Sequence, residues 1–381
     1  MSKLKITELT YSTFETMEEQ WSQCVISSDA NALFSSWVWQ KTWWDIWQPR
    51  LNLEFFLLGI YEESKLIGIV PCYTHKVKSR VGVTFTRCEF IGNYSSNDDS
   101  IRSEYLNFIL PKGRYVEILP SIINFLKSQK IDELVLTDID AMSQTAKYVD
   151  EILPNSYKAQ ENGVCIKTAE SFSTYLAELG KNTRLKLFNR RKLLKKPELI
   201  ELNSTKNITE FFEQLNHMHV LRWGVHCFSS HSLRFHNTIA EYYLSEGSLS
   251  ALILLDDSIP LAVCYDITVG NTTYNIQLGF SPYISNKVSL GTLMLGYAIE
   301  RAHSNPLVEY YDLLAGKGKN TFYKKQFCGD IKTFSTLYMP LSLSSKVRYL
   351  LKKHLRSVKY IIKASLSKIR KIINLGLPPK L

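Results

Sequence analysis

The chain has 381 residues, 45% hydrophobic and 22% charged, the composition of a soluble globular protein with room for two domains. Its seven cysteines (Cys24, Cys72, Cys88, Cys165, Cys227, Cys264, Cys328) lie far apart and form no Cys-x-x-Cys pair, which argues against a disulfide framework or a zinc site. The net charge of +10 belongs to one end: residues 341–381 carry 11 Lys/Arg and no acid, while 35 basic residues face 36 acidic ones before them, so the body is not a basic nucleic-acid-binding domain.

No apolar stretch of signal-peptide length opens the chain, and none approaches the ~18 residues of a spanning helix. A cytoplasmic location is therefore expected. Leu4–Leu9 reads as a strand, and residues 14–25 and 35–47 as helices. The second helix holds five of the seven tryptophans, a group that could line a ligand groove and is read as core packing between helices and a sheet. Residues 53–61 and 66–77 form a hairpin around the polar turn Glu62-Glu63-Ser64-Lys65. A strand at 84–91, a polar loop at 93–100, a helix at 114–128 and a strand at 131–137 follow. Residues 141–163, with Pro154 and Asn162-Gly163, read as a helix and connector. The expected boundary is soft and lies there, giving units 1–160 and 161–340 and a tail, 341–381.

The second half repeats the order. Residues 172–196 read as a basic helix, 208–223 and 232–245 as helices, 249–255 and 259–269 as a hairpin, and 273–280 as a strand. A polar loop with Asn286, Lys287 and Ser289 leads to Gly291, which opens an apolar helix; residues 309–314 are the next strand. The two hairpins, LLGIYEESKLIGIVPCY and ALILLDDSIPLAVCYDI, match in detail and point to a duplicated α/β unit. A strand, a polar loop with Gly and a helix is also a phosphate-binding shape, because first-turn amides and the helix dipole favour an anion. The same pattern serves as an ordinary strand-to-helix connection.

Several stretches carry a resemblance: Leu221-Arg222-Trp223, Arg234-Phe235-His236, Ile259-Pro260-Leu261-Ala262, Gln277-Leu278-Gly279-Phe280-Ser281-Pro282, Ser289-Leu290-Gly291, Tyr311-Asp312-Leu313-Leu314-Ala315-Gly316 and Tyr323-Lys324. Phe34-Ser35-Ser36-Trp37 and Gly68-Ile69-Val70-Pro71 fit the first unit. In order and spacing these resemble the GNAT acyltransferase superfamily, specifically the CelD/BcsL-type acetyltransferase domain, a relative of the Fem peptidyltransferases. The resemblance implies an α/β fold of two tandem GNAT-like mixed-sheet units; the first reads as degenerate because Phe90-Ile91-Gly92-Asn93-Tyr94 lacks a phosphate loop, and the tail pattern adds a basic amphipathic C-terminal helix. It implies acetyl-CoA or another acyl-CoA as co-substrate, with the pantetheine along Gln277, Leu278 and Gly279. The pyrophosphate would sit at Lys287, Ser289, Gly291 and Thr292. Two departures stand out: the loop has one Gly and one Lys where the family has Gln/Arg-x-x-Gly-x-Gly/Ala, and Lys317-Gly318-Lys319-Asn320 replaces the usual acid before Tyr-Lys.

Acyl transfer to an amine needs a base, a stabiliser of the carbonyl oxygen and a departing thiolate. His236 is a candidate base and equally a packing residue; Asp312, expected at a strand end in the cleft, can orient or deprotonate an amine or cap a turn. Tyr323 is a candidate acid for the thiolate, with Lys324 beside it lowering its pKa or binding phosphate. Arg222 and Trp223 are candidates for acceptor binding. No metal is expected. Residues 181–196 carry eight Lys/Arg and no acid, a solvated face or a site for CoA phosphate, a nucleotide-linked acceptor or tRNA. In the tail, Val347, Leu351, Leu355, Val358, Ile362, Leu366, Ile369 and Ile373 line one helix face, an interfacial pattern over residues 346–373. The expected function is N-acyl transfer to a small-molecule or glycan amine acceptor, such as an amino sugar of a surface-polysaccharide precursor, at the inner face of the cell membrane. An aminoacyl-tRNA-dependent transferase and a non-catalytic membrane-associated subunit are the alternatives.

Overall fold

The computed structural model describes residues 4–79, 82–95, 100–152, 157–282, 287–316 and 324–351. The first half runs β1 (Leu4–Leu9), α1 (Tyr11–Thr16), α2 (Glu18–Ile26), α3 (Trp37–Leu51), β2 (Glu54–Glu62), β3 (Lys65–Lys78), β4 (Thr84–Phe90), α4 (Tyr115–Ser128), β5 (Glu133–Asp140), α5 (Gln144–Ile152) and β6 (Tyr157–Lys167). Local chemistry sets the ends of α3. The Ser36 hydroxyl accepts from the Trp39 amide at its start, and Asn52 turns left-handed at its close. Four of its tryptophans, Trp39, Trp43, Trp44 and Trp47, are buried in the core.

The second half runs α6 (Phe172–Glu178), α7 (Lys181–Leu187), β7 (Pro197–Glu201), α8 (Ile208–Trp223), α9 (Ser230–Ser245), β8 (Leu249–Asp256), β9 (Ile259–Val269), β10 (Thr272–Phe280), α10 (Leu290–Ser304), β11 (Tyr310–Gly316) and β12 (Asp330–Pro340). The expected single helix over 172–196 is broken at Gly180, and residues 189–193 form a 3-10 turn. Residues 343–351 are helical, so only the first part of the expected 346–373 helix lies among the described residues.

Among the described residues the strands form one twelve-stranded sheet, in the order β1-β2-β3-β4-β5-β12-β6-β11-β10-β9-β8-β7. Its two halves mirror each other. In each, antiparallel strands lead to one parallel pair, β4 with β5 and β10 with β11. The second strand of each parallel pair carries a left-handed residue at a register slip. In β5 it is Asp138, at φ 52, where the pairing with β12 shifts. In β11 it is Leu314, at φ 57, where the pairing with β6 shifts.

The middle of the sheet is an exchange. β6 follows the first unit in the chain but pairs with β11, and β12 returns to pair with both β5 and β6. The boundary expected near residue 160 thus falls inside β6. This strand was read as a connector because Asn162-Gly163 resembles a turn. Gly163 instead marks a close approach, since a Cβ there would lie 2.7 Å from the Leu314 carbonyl oxygen.

Two apolar cores lie on the sheet. The larger runs from the tryptophans of α3 to α8 and α9, and the smaller packs α6, α7 and α10 on the second unit. His236 of α9 belongs to the first of these. It is 3% exposed, stacks on Phe228 at 4.1 Å and meets Phe235 and Tyr265 edge-on. Its Nδ1 has no hydrogen-bond partner. Burial pushes its pKa from 6.5 down to about 3, so although it borders the large cleft between the units it is a much weaker base than the expected role calls for.

Two outcomes follow from these contacts. Gly163→Ala destabilises the chain by about 1–3 kcal/mol through overpacking, read by chemical denaturation. His236 favours the folded state only when neutral, so stability falls as pH drops from about 6.5 toward 3, by up to about 1.4 kcal/mol per pH unit. His236→Phe removes that part of the slope, measured as denaturation midpoints across the window; an unchanged slope refutes the assignment.

Candidate active site

β10 and β11 pair over three positions, the last being Tyr274 with Asp312. Beyond it, two local features turn the strands apart. On β10, Asn275 pairs with Asp266 and Gln277 with Tyr265 of β9, leaving Ile276 as the extra residue of a bulge that bends the strand. On β11, the left-handed Leu314 donates its N–H to Asp312 Oδ1 at 2.7 Å. The opening between the strands belongs to a cleft of about 1120 Å³. Asn275, Ile276, Gln277, Leu278 and Phe280 line one wall, and residues 313–316 the other. The first unit closes the far side with Phe34, Trp39, Arg50, Arg102 and Glu104.

The start of α10 enters this cleft through Ser289, Gly291 and Thr292. The first amides of a helix have no partner within it, and here they lie where the strands part. Ser289 Oγ and Thr292 Oγ1 are 3.0 Å apart. Gly291 is set by packing, since a Cβ would come within 2.5 Å of the Phe280 ring. The Arg222 guanidinium lies over that same ring at 4.0 Å and over Trp223 at 4.8 Å. Trp223 is 61% exposed at the rim. Gln277 and Leu278 line the cleft. Gly279 turns the other way, against Leu215 of α8, and Lys287 sits exposed on the loop before α10, outside the lining.

The acids and the lysine are arranged otherwise than their spacing implies. Asp312 does not reach the cleft wall. It is buried at the seam between the units, where Oδ1 receives the Leu314 amide and Oδ2 the Tyr105 hydroxyl. Burial raises its pKa. Lys324 lines the cleft, but its ammonium donates to the carbonyls of Leu313, Leu314 and Ala315 at 2.5, 3.1 and 2.8 Å. Those bonds use all three of its donors, so it holds the end of β11 and has none to give a phosphate. Burial lowers its pKa, opposed by Glu104 and Asp312. Tyr323 lies outside the described residues.

Glu104 is the group that sequence reasoning missed. It is 5% exposed, faces the cleft, and lies 3.6 Å from Arg102. Arg102 is itself committed to Asp138 at 2.8 and 2.7 Å and to Glu161 at 2.5 Å. Burial raises the Glu104 pKa to about 7, with Arg102 opposing and Asp138 reinforcing the shift. Its one signal in the sequence is a charged pair inside the apolar stretch 101–110. Among the described residues no group of three or more His, Cys, Asp or Glu is placed to hold a metal ion.

Residues 181–325 match the family model described as an acetyltransferase (GNAT) domain. No curated protein matches the sequence. The crystal structure of FemX superposes with a TM-score of 0.59 at 10% identity, covering 87% of this chain and 96% of that one. A conserved protein of unknown function from Bacteroides thetaiotaomicron gives 0.52 at 10% identity, covering 88% and 100%. The C-terminal domain of a protein described as a lysylphosphatidylglycerol synthetase, from Agrobacterium fabrum, gives 0.50 at 9% identity, covering 88% and 96%. At such identities the structural likeness speaks to fold alone. Residues 181–325 thus match a GNAT acetyltransferase domain, and the chain as a whole shares the fold of FemX.

Proposed function

We propose that the chain transfers an acyl group from acyl-CoA to an amine held between the two units, with Glu104 as the base. The observation that carries this is the juxtaposition in one cleft of the α10 amides, the parted strands and a carboxylate with a pKa near 7. The residues fit the co-substrate: the α10 start, Ser289 and Thr292 would receive phosphate, and the β10 edge at Gln277 and Leu278 would run beside the pantetheine. Bound acyl-CoA supplies an electrophilic thioester carbonyl and a thiolate leaving group. Glu104 takes the proton of the amine as its nitrogen bonds to the carbonyl carbon and the carbon–sulfur bond breaks. Ile276, with no partner position on β9, would offer its backbone amide to the carbonyl oxygen as that oxygen gains charge.

An amino sugar of a surface-polysaccharide precursor is our reading of the acceptor, supported by the exposed Trp223 face beside Arg222 at the rim. The start of the tail helix supports association with an apolar or lipid surface. Arg348 and Tyr349 reach Glu133 of the first unit, while Val347 and Leu351 of the apolar stripe stay 48% and 58% exposed. No described helix is long and apolar enough to cross a membrane. An aminoacyl-tRNA donor, which the Fem resemblance implies, would need residues 181–196. Two of their cations are engaged: Arg191 with Glu300 and the Tyr297 ring, and Arg184 with the Leu176 carbonyl.

Calorimetry of the full chain with acetyl-CoA tests the reading. Saturable binding supports it; a folded chain that binds none sinks it and favours a tRNA ligand, recognised by affinity that falls steeply with salt. Transfer to an amine panel containing glucosamine, followed as released CoA thiol, then tests Glu104. The rate rises with pH through about 7 as the carboxylate ionises. Glu104→Gln lowers kcat by roughly 10²–10⁴-fold and removes that rise, while acetyl-CoA binding persists. An intact pH profile in the variant refutes its role as base.

A further inference from the structure

Asn275 is the first residue of β10 beyond the last pair with β11, and its side chain lines the cleft. Behind it, on β9, lies Asp266, 1% exposed. Asp266 Oδ1 accepts from Asn275 Nδ2 at 2.7 Å, and Oδ2 accepts from the Tyr311 hydroxyl at 2.8 Å. The same Nδ2 donates to Cys264 Sγ at 3.2 Å. An ionised carboxylate accepts hydrogen bonds and donates none. Both hydrogens of the Asn275 amide are therefore drawn inward, one to the carboxylate and one to the sulfur. The opposite orientation would press Asn275 Oδ1 against Asp266 Oδ1, two acceptors in a buried place. The amide oxygen is left for the cleft, and it has no hydrogen-bond partner among the described residues.

The surroundings decide what that oxygen suits. Ile276, Leu278, Leu313 and Leu314 line the same cleft, together with Gln277, Glu104 and Lys324, and a neutral amide oxygen suits a neutral N–H better than a desolvated ammonium. The amine has its own partner in the Glu104 carboxylate. We propose that Asn275 Oδ1 is a specificity-determining acceptor for a secondary-amide N–H of the acyl-thioester substrate's pantetheine arm, and that Asp266 is the positioning residue that keeps this oxygen turned to the cleft. This rests on the acyl-CoA reading above. Asp266→Asn would leave an amide oxygen to accept from Tyr311 but present an NH₂ to Asn275. The Asn275 amide would then turn over and show its own NH₂ to the ligand.

The test is a double-mutant cycle on the full chain, with acetyl-CoA affinity measured by calorimetry and folding by thermal unfolding. Asn275→Ala and Asp266→Asn each weaken binding roughly three- to tenfold, the worth of one neutral hydrogen bond. The double variant binds no more weakly than either single one, because Asp266 acts through Asn275 alone; a general loosening of the sheet would add. Should Asp266→Asn fail to fold, Asn275→Ala and Asn275→Leu carry the test of the acceptor oxygen. Undiminished binding by the folded Asn275 variants overturns the inference and leaves the acyl-CoA reading standing. Additive losses overturn the positioning role of Asp266. A wild-type chain that binds no acetyl-CoA removes the acyl-CoA reading, and this inference with it.

Discussion

The site depends on a backbone event: two parallel strands that pair for three positions and then separate. Parallel strands buried in a sheet normally continue their ladder, because each unpaired amide and carbonyl away from water is costly. Here the cost is met locally. Leu314, left-handed, returns its amide to the Asp312 carboxylate, and the Lys324 ammonium collects the carbonyls of residues 313–315. Gly163 on β6 makes room for the displaced Leu314 carbonyl. Asp312, Lys324 and Gly163 thus maintain the gap, and the gap is what a ligand can occupy.

The first unit has a parallel pair of the same length, and side chains bridge its end. Its parallel pair also ends early, and its left-handed residue, Asp138, takes the place that Leu314 has in the second unit. Asp138 carries a carboxylate, which receives Asn93 Nδ2 at 3.2 Å and the Arg102 guanidinium. These bonds also carry Arg102 toward the other unit, where it stands beside Glu104. With Asn93, Asp138 and Arg102 bonded together, this side of the first unit serves as a wall of the cleft.

Burial sorts the ionisable groups more sharply than their identities do. His236, an ordinary candidate base, is so enclosed by aromatic rings that it stays neutral and weakly basic. Asp312 has both oxygens engaged. Glu104 is nearly as buried, yet keeps an open side toward the cleft, and desolvation lifts its pKa into the range where proton transfer near neutral pH is efficient. Asp266, which never touches the cleft, acts on it through the orientation of Asn275.

Much of the fold was legible in the sequence, because hydrophobic periodicity and turn chemistry are local. The paired hairpins, the helix opened at Gly291 and the strand before Asp312 all lie where pattern puts them. Four of the α3 tryptophans are buried in the core, since so much aromatic surface is rarely left in water, and one of them, Trp39, also lines the cleft. What local pattern misread was whatever depends on a distant partner. β6 looked like a connector because the glycine in it serves a carbonyl some 150 positions away in the chain. β12 was not read as a strand at all, and its partners are β5 of the first unit and β6. The sequence by itself determined two α/β units and the strand–loop–helix that can meet an anion. Only the tertiary structure decided which charges face the cleft, because desolvation and hydrogen-bond partners are properties of the packed neighbourhood, and Glu104 and Asn275 acquire theirs from strands and loops that meet only when the chain is folded.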